Sequence, residues 1–302
     1  MAANDLREFL TSRRGALDPH DVGLPPSAAQ RRVPGLRREE VAALAGVSTA
    51  YYTKLEQGRA GDVSNQVLDA VARALHLDDL ERLHLHHLVR SAQPSSVRPA
   101  PLEPERRARA ALAATVHALH AVPAMVLGPR AEVLAANRLA ALLLDDFAAL
   151  PRRECNIVRW TFLNPRARQV YADWADVAAQ VAASWRALAG ARPDDAVLRH
   201  MIGELAAASP QFREAWAAHR LYEHTHGSKT FRNDLVGAIT LHYESMALED
   251  DGQTMVIYTA ERGSRSDEAL QLLASWGSED EIAGARPAPE RGVTTGDQRT
   301  ER

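Results

Sequence analysis

Basic side chains that could bind phosphate are crowded into one short part of the N-terminal third of the chain. The basic residues of this stretch are Arg31, Arg32, Arg37, Arg38, Lys54 and Arg59. Only Glu39, Glu40 and Glu56 oppose them there. The overall charge is uninformative, because the formal net charge is only -3. The local cluster predicts a basic face whose guanidinium and ammonium groups could neutralise nucleic-acid phosphates.

Catalytic and metal-binding patterns have little support in the sequence. Cys155 is the only cysteine, so an intramolecular disulfide and a cysteine-based zinc site are excluded. The segments His84-x-His86-His87 and His224-x-His226 lack the i, i+4 spacing with a carboxylate partner that a helical metal site needs. No Gly-rich phosphate loop, Gly-x-Ser-x-Gly or His-Glu-x-x-His segment is present. We therefore predict no catalytic residue, no metal site and no cofactor, and a protein that is not an enzyme.

Four large aromatic side chains are concentrated in the second half of a chain that is only 5% aromatic. They are Trp160, Phe162, Trp174 and Trp185. Such a cluster could line a cavity for an apolar ligand, or it could simply form a packed core. Both interpretations remain open at this point.

The length of 302 residues predicts two folded units, since one domain usually holds roughly one to two hundred residues. The Pro- and Ser-rich segment 93–101 is typical of a solvated spacer. We predict an N-terminal domain over 1–90, a linker over 91–109 and a second domain over 110–277. The polar, Gly- and Pro-interrupted stretch 278–302 buries too little apolar surface to order itself, which predicts a disordered tail.

Hydrophobic periodicity predicts the elements that position these residues. A helix over 5–14 and apolar residues at helical spacing over 37–88, with breaks at Gly46, Gly58 and Asp78, predict a bundle of five short helices. A hairpin over 124–135, several helices and three strand-like runs near 229–231, 236–243 and 255–258 follow the linker. The expected fold class is therefore multidomain, with an all-α N-terminal domain and an α+β C-terminal domain.

The sequence pattern predicts neither a membrane-spanning segment nor a secretion signal. No run of about eighteen uncharged apolar residues occurs. The N-terminus carries Asp5 and Glu8 where a signal peptide would be basic and then apolar. We expect no membrane partner and a cytoplasmic location.

Residues 38–59 meet the steric demands of two helices that cross closely around a tight turn. Ala42 is small where the second helix passes, Gly46 permits a positive φ, and Ser48 can cap the second helix. Apolar side chains at Val47, Tyr52 and Leu55 would point back into the bundle. We expect Glu56 to pair with Arg13 or Arg14 across the bundle. The pattern predicts a helix-turn-helix that binds DNA, and the alternative is a small α bundle without that function.

On these residues the N-terminal region resembles the xenobiotic-response-element family of regulators, which is related to phage Cro and C1 repressors. The motifs are Val41-Ala42, Ala45-Gly46-Val47-Ser48 and Leu55-Glu56-x-Gly58-Arg59. The resemblance implies a lambda-repressor-like fold whose second helix lies in the major groove of double-stranded DNA. The residues that it places toward DNA are Arg38, Ser48, Thr49, Tyr51, Thr53, Lys54 and Arg59.

The resemblance also implies a role for each of several residues. Thr49 and Thr53 would meet base edges, whereas Lys54 and Arg59 would meet phosphate. Arg38 stands where this family usually has glutamine, so it could hold a phosphate but would lose a glutamine bridge to the reading helix. A single helix-turn-helix reads few base pairs, which predicts a homodimer on a pseudo-palindromic operator.

The second half of the chain resembles the MmyB-like ligand-binding domain found behind such helix-turn-helix domains. Motifs that carry the resemblance include Ala135-Ala136-Asn137-Arg138-Leu139-Ala140-Ala141, Phe162-Leu163-Asn164-Pro165, Gly227-x-Lys229-x-Phe231 and Tyr258-Thr259-Ala260-Glu261. Asn233-Asp234 departs from the His-Pro pair expected there. The resemblance implies a PAS-like fold and a small, apolar or fatty-acid-like effector. Arg159 or Arg168 would be its carboxylate partner, beside the four aromatic residues named above.

The expected function is that of a dimeric, sequence-specific transcription regulator whose operator affinity changes when a small ligand binds the C-terminal domain. Two alternatives differ in the role of the C-terminal half. It could be an enzyme that the helix-turn-helix tethers to DNA, which turnover of a small molecule would reveal. It could also be a protein-interaction module, which a stable partner and a cavity too small for a ligand would reveal.

Overall fold

The computed structural model describes residues 2–24, 35–92, 107–248 and 252–284. Several segments discussed above lie outside these described residues: Arg31 and Arg32, most of the expected linker (93–106) and the end of the expected tail (285–302).

The N-terminal part is helical, as predicted. The described residues there form five α-helices, α1 (Ala2–Ala16), α2 (Arg38–Leu44), α3 (Thr49–Glu56), α4 (Asn65–Ala74) and α5 (Asp79–Ala92), and a short 3-10 helix at Pro19–Val22. Apolar residues at helical spacing, such as Leu6, Phe9 and Leu10 of α1, share one face of their helix and are almost completely buried. They pack with Tyr52 of α3 and Leu85 of α5 in one hydrophobic cluster, which holds the five helices together.

The C-terminal part is an α+β domain around one antiparallel sheet. The sheet order is β2-β1-β5-β4-β3. The strands are β1 (Ala124–Leu127), β2 (Val133–Ala136), β3 (His226–Asn233), β4 (Gly237–Leu248) and β5 (Gln253–Thr259). The helices are α6 (Ala110–Ala118), α7 (Arg138–Leu143), α8 (Ile157–Leu163), α9 (Pro165–Val170), α10 (Trp174–Ala191), α11 (Ala196–Ala208), α12 (Pro210–Ala217) and α13 (Arg265–Gly284).

The pairing register of the sheet decides which side chains share a face. Met125 lies opposite Val256, and Tyr243 lies opposite Tyr258. Because side chains alternate between faces along a strand, these residues and Lys229 point to the same side. That side carries the larger hydrophobic cluster, which includes helices α7 and α13, whereas Val126 and Met255 face α6 on the other side.

Two elements differ from the sequence-based expectation. Helix α8 was not predicted, because seven residues rich in β-branched and aromatic side chains give no clear helical period. It begins after Asn156, whose side chain accepts hydrogen bonds from the backbone N–H groups of Val158 and Arg159. Helix α13 continues to Gly284, past residue 278, where we expected the tail to begin.

The two domains contact each other through α1 and α5 on one side and α10 and the segment after α12 on the other. Arg13 of α1 donates a hydrogen bond to the backbone carbonyl of His219 at 2.5 Å. The imidazole of His84 in α5 packs against Gly190 of α10, where a Cβ atom would overlap it. The absence of a side chain at Gly190 thus permits the close approach of α5 and α10.

Candidate nucleic-acid interface and ligand cavity

The turn between α2 and α3 has the geometry that its residues predict. Gly46 has φ +67°. The N–H groups of Gly46 and Val47 donate to the carbonyls of Ala43 and Ala42 at 3.2 and 2.9 Å, which is the hydrogen-bond pattern of a helix that ends with a left-handed glycine. The Ser48 hydroxyl then accepts from the Tyr51 N–H at 3.1 Å and caps α3. The helix-turn-helix geometry is therefore confirmed.

The inner side of this motif is closed by small and apolar residues. Ala42, Tyr52 and Leu55 are each at most 1% exposed, and Val47 packs half-buried against the same cluster. The small side chain at Ala42 leaves room for α3 to cross α2 closely. The orientation of α3 is thus fixed by its buried face, which leaves its opposite face outside.

The outer side of the motif carries the residues expected to face DNA. Ser48, Thr49, Lys54 and Arg59 are exposed, while Tyr51 and Thr53 are half-buried. The Thr53 hydroxyl donates to the Thr49 carbonyl at 2.7 Å within α3. Arg38 stands at the start of α2 with 43% of its side chain exposed. The structure therefore brings the six residues 48–59 of this set together on or beside α3, with Arg38 nearby.

The buried carboxylate of Glu56, at the end of α3, connects this helix to the rest of the bundle. Glu56 is 0% exposed. Arg38 donates to its Oε1 atom through Nε and Nη2, at 3.0 and 2.7 Å. Thr11 donates to Oε1 at 3.2 Å, and Arg14 Nε donates to Oε2 at 3.4 Å. Of the two arginines expected for Glu56 the structure selects Arg14, and it adds a bridge from Arg38 that the sequence did not reveal.

The C-terminal domain contains a cavity of about 470 Å³ between the sheet and α10. This volume lies in the range of roughly 300–1,000 Å³ that small-molecule sites occupy. Most of its wall is apolar and includes Met125, Leu127, Val181, Trp185, Leu188, Val256 and Tyr258. Its size and apolar wall suit a small, largely apolar molecule.

One cationic side chain, Lys229 of β3, lies on the wall of this cavity. Lys229 is 7% exposed, and no carboxylate among the described residues forms an ion pair with it. Its ammonium donates to Nε2 of His224 at 2.7 Å and lies 4.6 Å from the centre of the Tyr243 ring. Burial lowers the pKa of Lys229 to about 8. The cavity thus contains a buried cation without an anionic partner.

The surroundings of Lys229 hold His224 in one neutral tautomer. Burial and the neighbouring charge of Lys229 lower the pKa of His224 to about 3. Since Lys229 can only donate, Nε2 of His224 accepts and its Nδ1 carries the proton, which it donates to the Ser245 hydroxyl at 3.1 Å. The ring also stacks on Tyr243, with centroids 4.1 Å apart. These contacts fix the position of the lysine ammonium.

Of the four aromatic residues singled out in the sequence, the cavity wall contains Trp185. Trp160 lies in the core beside the sheet and donates from Nε1 to Asp145 at 2.7 Å. Phe162 and Trp174 pack edge to face among the helices. Core packing therefore accounts for three of the four.

The two arginines expected to hold a carboxylate have other partners. Arg159 donates to Glu204 at 2.7 Å, and Arg168 stacks over the Trp174 ring at 3.7 Å. Neither lies on the cavity wall. The helical structure of residues 157–170 explains the difference, because it directs both side chains toward neighbouring helices instead of the sheet.

Sequence reasoning missed Lys229 and His224, although a signal was present. The chain has only two lysines, Lys54 and Lys229. In the alternating segment Gly227-Ser228-Lys229-Thr230-Phe231, the lysine falls on the same face as the apolar Phe231. A charged residue on the buried face of a strand is a candidate functional residue.

Other candidate sites have little support in the part of the chain that the structure describes. Within it, no three His, Cys, Asp or Glu side chains converge as a metal site would need. The two histidine-rich segments instead contribute His84 and His224 to packing and to the cavity wall. None of the helices in the described ranges combines the length and apolar character needed to cross a bilayer.

Comparison with known families agrees with this division of the chain. A model described as MmyB-like transcription regulator ligand binding domain matches residues 108–273. A model described as helix-turn-helix domain matches residues 5–85. A search of curated protein sequences gives no match. The first match covers the sheet and α10, which form much of the cavity wall, and the second covers the exposed α3 face.

Proposed function

Because the chain belongs to the MmyB-like transcription regulators and joins a helix-turn-helix to a ligand-binding domain, we propose that it is a homodimer whose operator affinity responds to a small fatty-acid-like anion. The DNA-binding regulator is the established part of this statement. The dimer, the class of effector and the response are our proposal.

The proposed DNA contacts place α3 in the major groove. Thr49 and Thr53 would approach base edges, and Lys54 and Arg59 would hold phosphates beside Ser48 and Tyr51. Exposure of this face supports the assignment. Arg38 would contribute its remaining donors to a phosphate while it stays bound to Glu56. We propose two copies on a pseudo-palindrome with half-sites about one helical turn apart, since one motif reads too few base pairs.

The observation that carries the effector class is the buried ammonium of Lys229 on a largely apolar cavity wall. A buried cation without a counter-ion is costly, and a carboxylate beside it would remove that cost. An apolar chain would fill the remainder of the cavity. This replaces Arg159 and Arg168 by Lys229 as the proposed carboxylate partner.

The strand order and the cavity support two finer assignments. The order β2-β1-β5-β4-β3, with helices inserted between β2 and β3, supports a PAS-like fold. The volume of about 470 Å³ favours ligand binding over the alternative of a protein-interaction module. We also propose a Cro/C1-type helix-turn-helix and a cytoplasmic location, where a regulator meets chromosomal DNA, and a protein that acts by binding without catalysis.

The DNA contacts are tested by the affinity of the full-length protein for the region upstream of its own gene at several salt concentrations. Lys54→Ala should weaken binding to all sequences alike. It should also reduce, by about one, the slope of the logarithm of DNA affinity against the logarithm of salt concentration. Thr49→Ala should instead relax base preference. Arg199→Ala removes one exposed charge, on α11, and serves as the control. Equal behaviour of the Lys54 and Thr49 variants would contradict the assigned roles.

The response to an effector is tested in the same assay by adding dodecanoate, with dodecanol as the uncharged control. Dodecanoate should change the DNA affinity several-fold, since coupling between two sites is typically about 1–3 kcal/mol. Dodecanol should have a weaker effect because it cannot pair with Lys229. An affinity unchanged at saturating dodecanoate would overturn the proposed effector class.

A further inference from the structure

The wall of the cavity crosses the boundary between the two domains. Besides residues of the C-terminal domain, it includes four residues from α5 of the DNA-binding domain: Leu80, Leu83, His84 and His87. Helix α5 therefore closes one side of a cavity whose other walls include the sheet, α8, α10 and the segment before β3.

One of these residues, Leu83, has an exposed apolar side chain. It is 51% exposed, one of a few large apolar residues in the described chain with such exposure. It is also absent from the hydrophobic cluster that holds the five-helix bundle together. Leu83 thus offers apolar surface toward the cavity without contributing to the core of its own domain. An apolar group in the cavity would cover that surface.

Helix α5 is attached to the bundle by its other face. Leu85 is completely buried in the cluster shared with α1. The His84 ring packs edge to face on Phe9 of α1, with centroids 5.1 Å apart. Through Thr11 and Arg14, α1 in turn holds Glu56 at the end of α3. A continuous series of packed contacts therefore connects the cavity wall to the reading helix.

From this arrangement we infer that the effector site is shared by both domains, and that the apolar part of the bound anion contacts α5 through Leu83. This inference rests on the proposed effector class, a fatty-acid-like carboxylate held by Lys229. Occupancy of the cavity is then sensed directly by the DNA-binding domain. The ligand adds apolar contact between α5 and the C-terminal domain, so it favours one relative position of the two domains.

The test uses a dansyl-labelled fatty acid, dansylamino-undecanoate, titrated into the full-length protein and followed by fluorescence. Leu83→Gln should weaken its binding by about tenfold, as expected for losing the burial of part of a leucine side chain. Leu235→Gln is the matched control, because Leu235 is 57% exposed and does not line the cavity. It should bind the probe like the wild type.

A second variant separates apolar contact from a general disturbance of α5. Leu83→Met keeps an apolar side chain of similar volume and should retain the affinity of the wild type. In the absence of probe, all three variants should bind the upstream DNA like the wild type, since neither Leu83 nor Leu235 lies on α3. Probe should alter DNA affinity less in Leu83→Gln than in Leu235→Gln.

The outcomes distinguish this inference from the proposed function. If the wild type binds the probe and Leu83→Gln binds it equally well, the shared site is overturned while the effector class stands. A tenfold loss in Leu83→Met as well would also overturn the apolar contact. If the wild type does not bind the probe, the effector class and the shared site both fail.

Discussion

Two buried charged side chains, Glu56 of the N-terminal domain and Lys229 of the C-terminal domain, are surrounded very differently. Glu56, at the end of α3, is 0% exposed and has hydrogen bonds from Thr11, Arg14 and Arg38. Lys229, on the cavity wall, is 7% exposed, and its neighbours among the described residues are the neutral His224 and the face of a tyrosine ring. The first charge is neutralised within the protein and the second is not.

This difference separates a structural charge from one that is available to a ligand. A buried charge with all its partners is costly to break, because removing it leaves other buried groups unpaired. A buried charge without a counter-ion costs stability, and a bound anion recovers that cost. Substitution of Glu56 should therefore lower the stability, whereas substitution of Lys229 should leave the stability unchanged or raise it and should weaken ligand binding.

The largest effect is expected at the structural charge. Glu56→Ala should lower the free energy of unfolding by about 3–5 kcal/mol, because Arg14 and Arg38 lose their shared carboxylate. Urea unfolding of the full-length protein followed by circular dichroism measures this change. Glu39→Ala is the control, since the Glu39 side chain is 62% exposed, and it should change stability by about 0.5 kcal/mol or less. A similar small change for Glu56→Ala would remove the contrast between the two charges.

At Lys229 we expect a smaller effect, which is a loss of ligand binding and not of stability. Lys229→Met should weaken dansylamino-undecanoate binding at least about tenfold, since a hydrogen bond to a charged group contributes roughly 1.5–3 kcal/mol. The free energy of unfolding should stay the same or rise, because a buried amine is replaced by an apolar group of similar length. Dodecanol should compete for the cavity equally well in both proteins. A clear loss of stability in Lys229→Met would make Lys229 a structural charge like Glu56.

The smallest effect is a pH dependence specific to the cavity. Because burial lowers the pKa of Lys229 to about 8, the ammonium is present below that pH and is lost above it. Affinity for the carboxylate probe should therefore be constant near pH 7 and fall by at most about tenfold per unit above pH 8.

The groups that face Lys229 do not titrate in the same window. His224 is neutral there, because its pKa is about 3, and the pKa of Tyr243 is raised above its usual value by burial and by Tyr222. Lys229→Met should consequently bind the probe weakly at every pH. If probe affinity still falls with rising pH in that variant, the titrating group is not Lys229. Fluorescence titrations between about pH 7 and pH 9 measure the probe affinity of both proteins.

Local features of the sequence were enough to predict the helix-turn-helix. A small residue at Ala42, a left-handed glycine at Gly46 and a capping hydroxyl at Ser48 act on backbone groups within a few residues. Their effect does not depend on the rest of the protein, so the predicted turn and the structure agree. The alternation of the strands likewise predicted an α+β second domain, although α8 was missed.

Contacts between distant parts of the chain decided which residues form the effector site. The sequence shows four prominent aromatic residues and two arginines, but only the fold places Trp185 on the cavity and turns Arg159 toward Glu204. It also brings Leu83 of the first domain to the same cavity as Lys229 of the second.

The sequence by itself therefore determined most of the helices and strands and the helix-turn-helix, since caps, turns and periodicity act over one or two helical turns. Only the tertiary structure decided that Arg14 and Arg38 pair with Glu56 and that Lys229 has no carboxylate partner among the described residues. The partners of a buried charge come from distant segments and depend on how whole helices and strands pack.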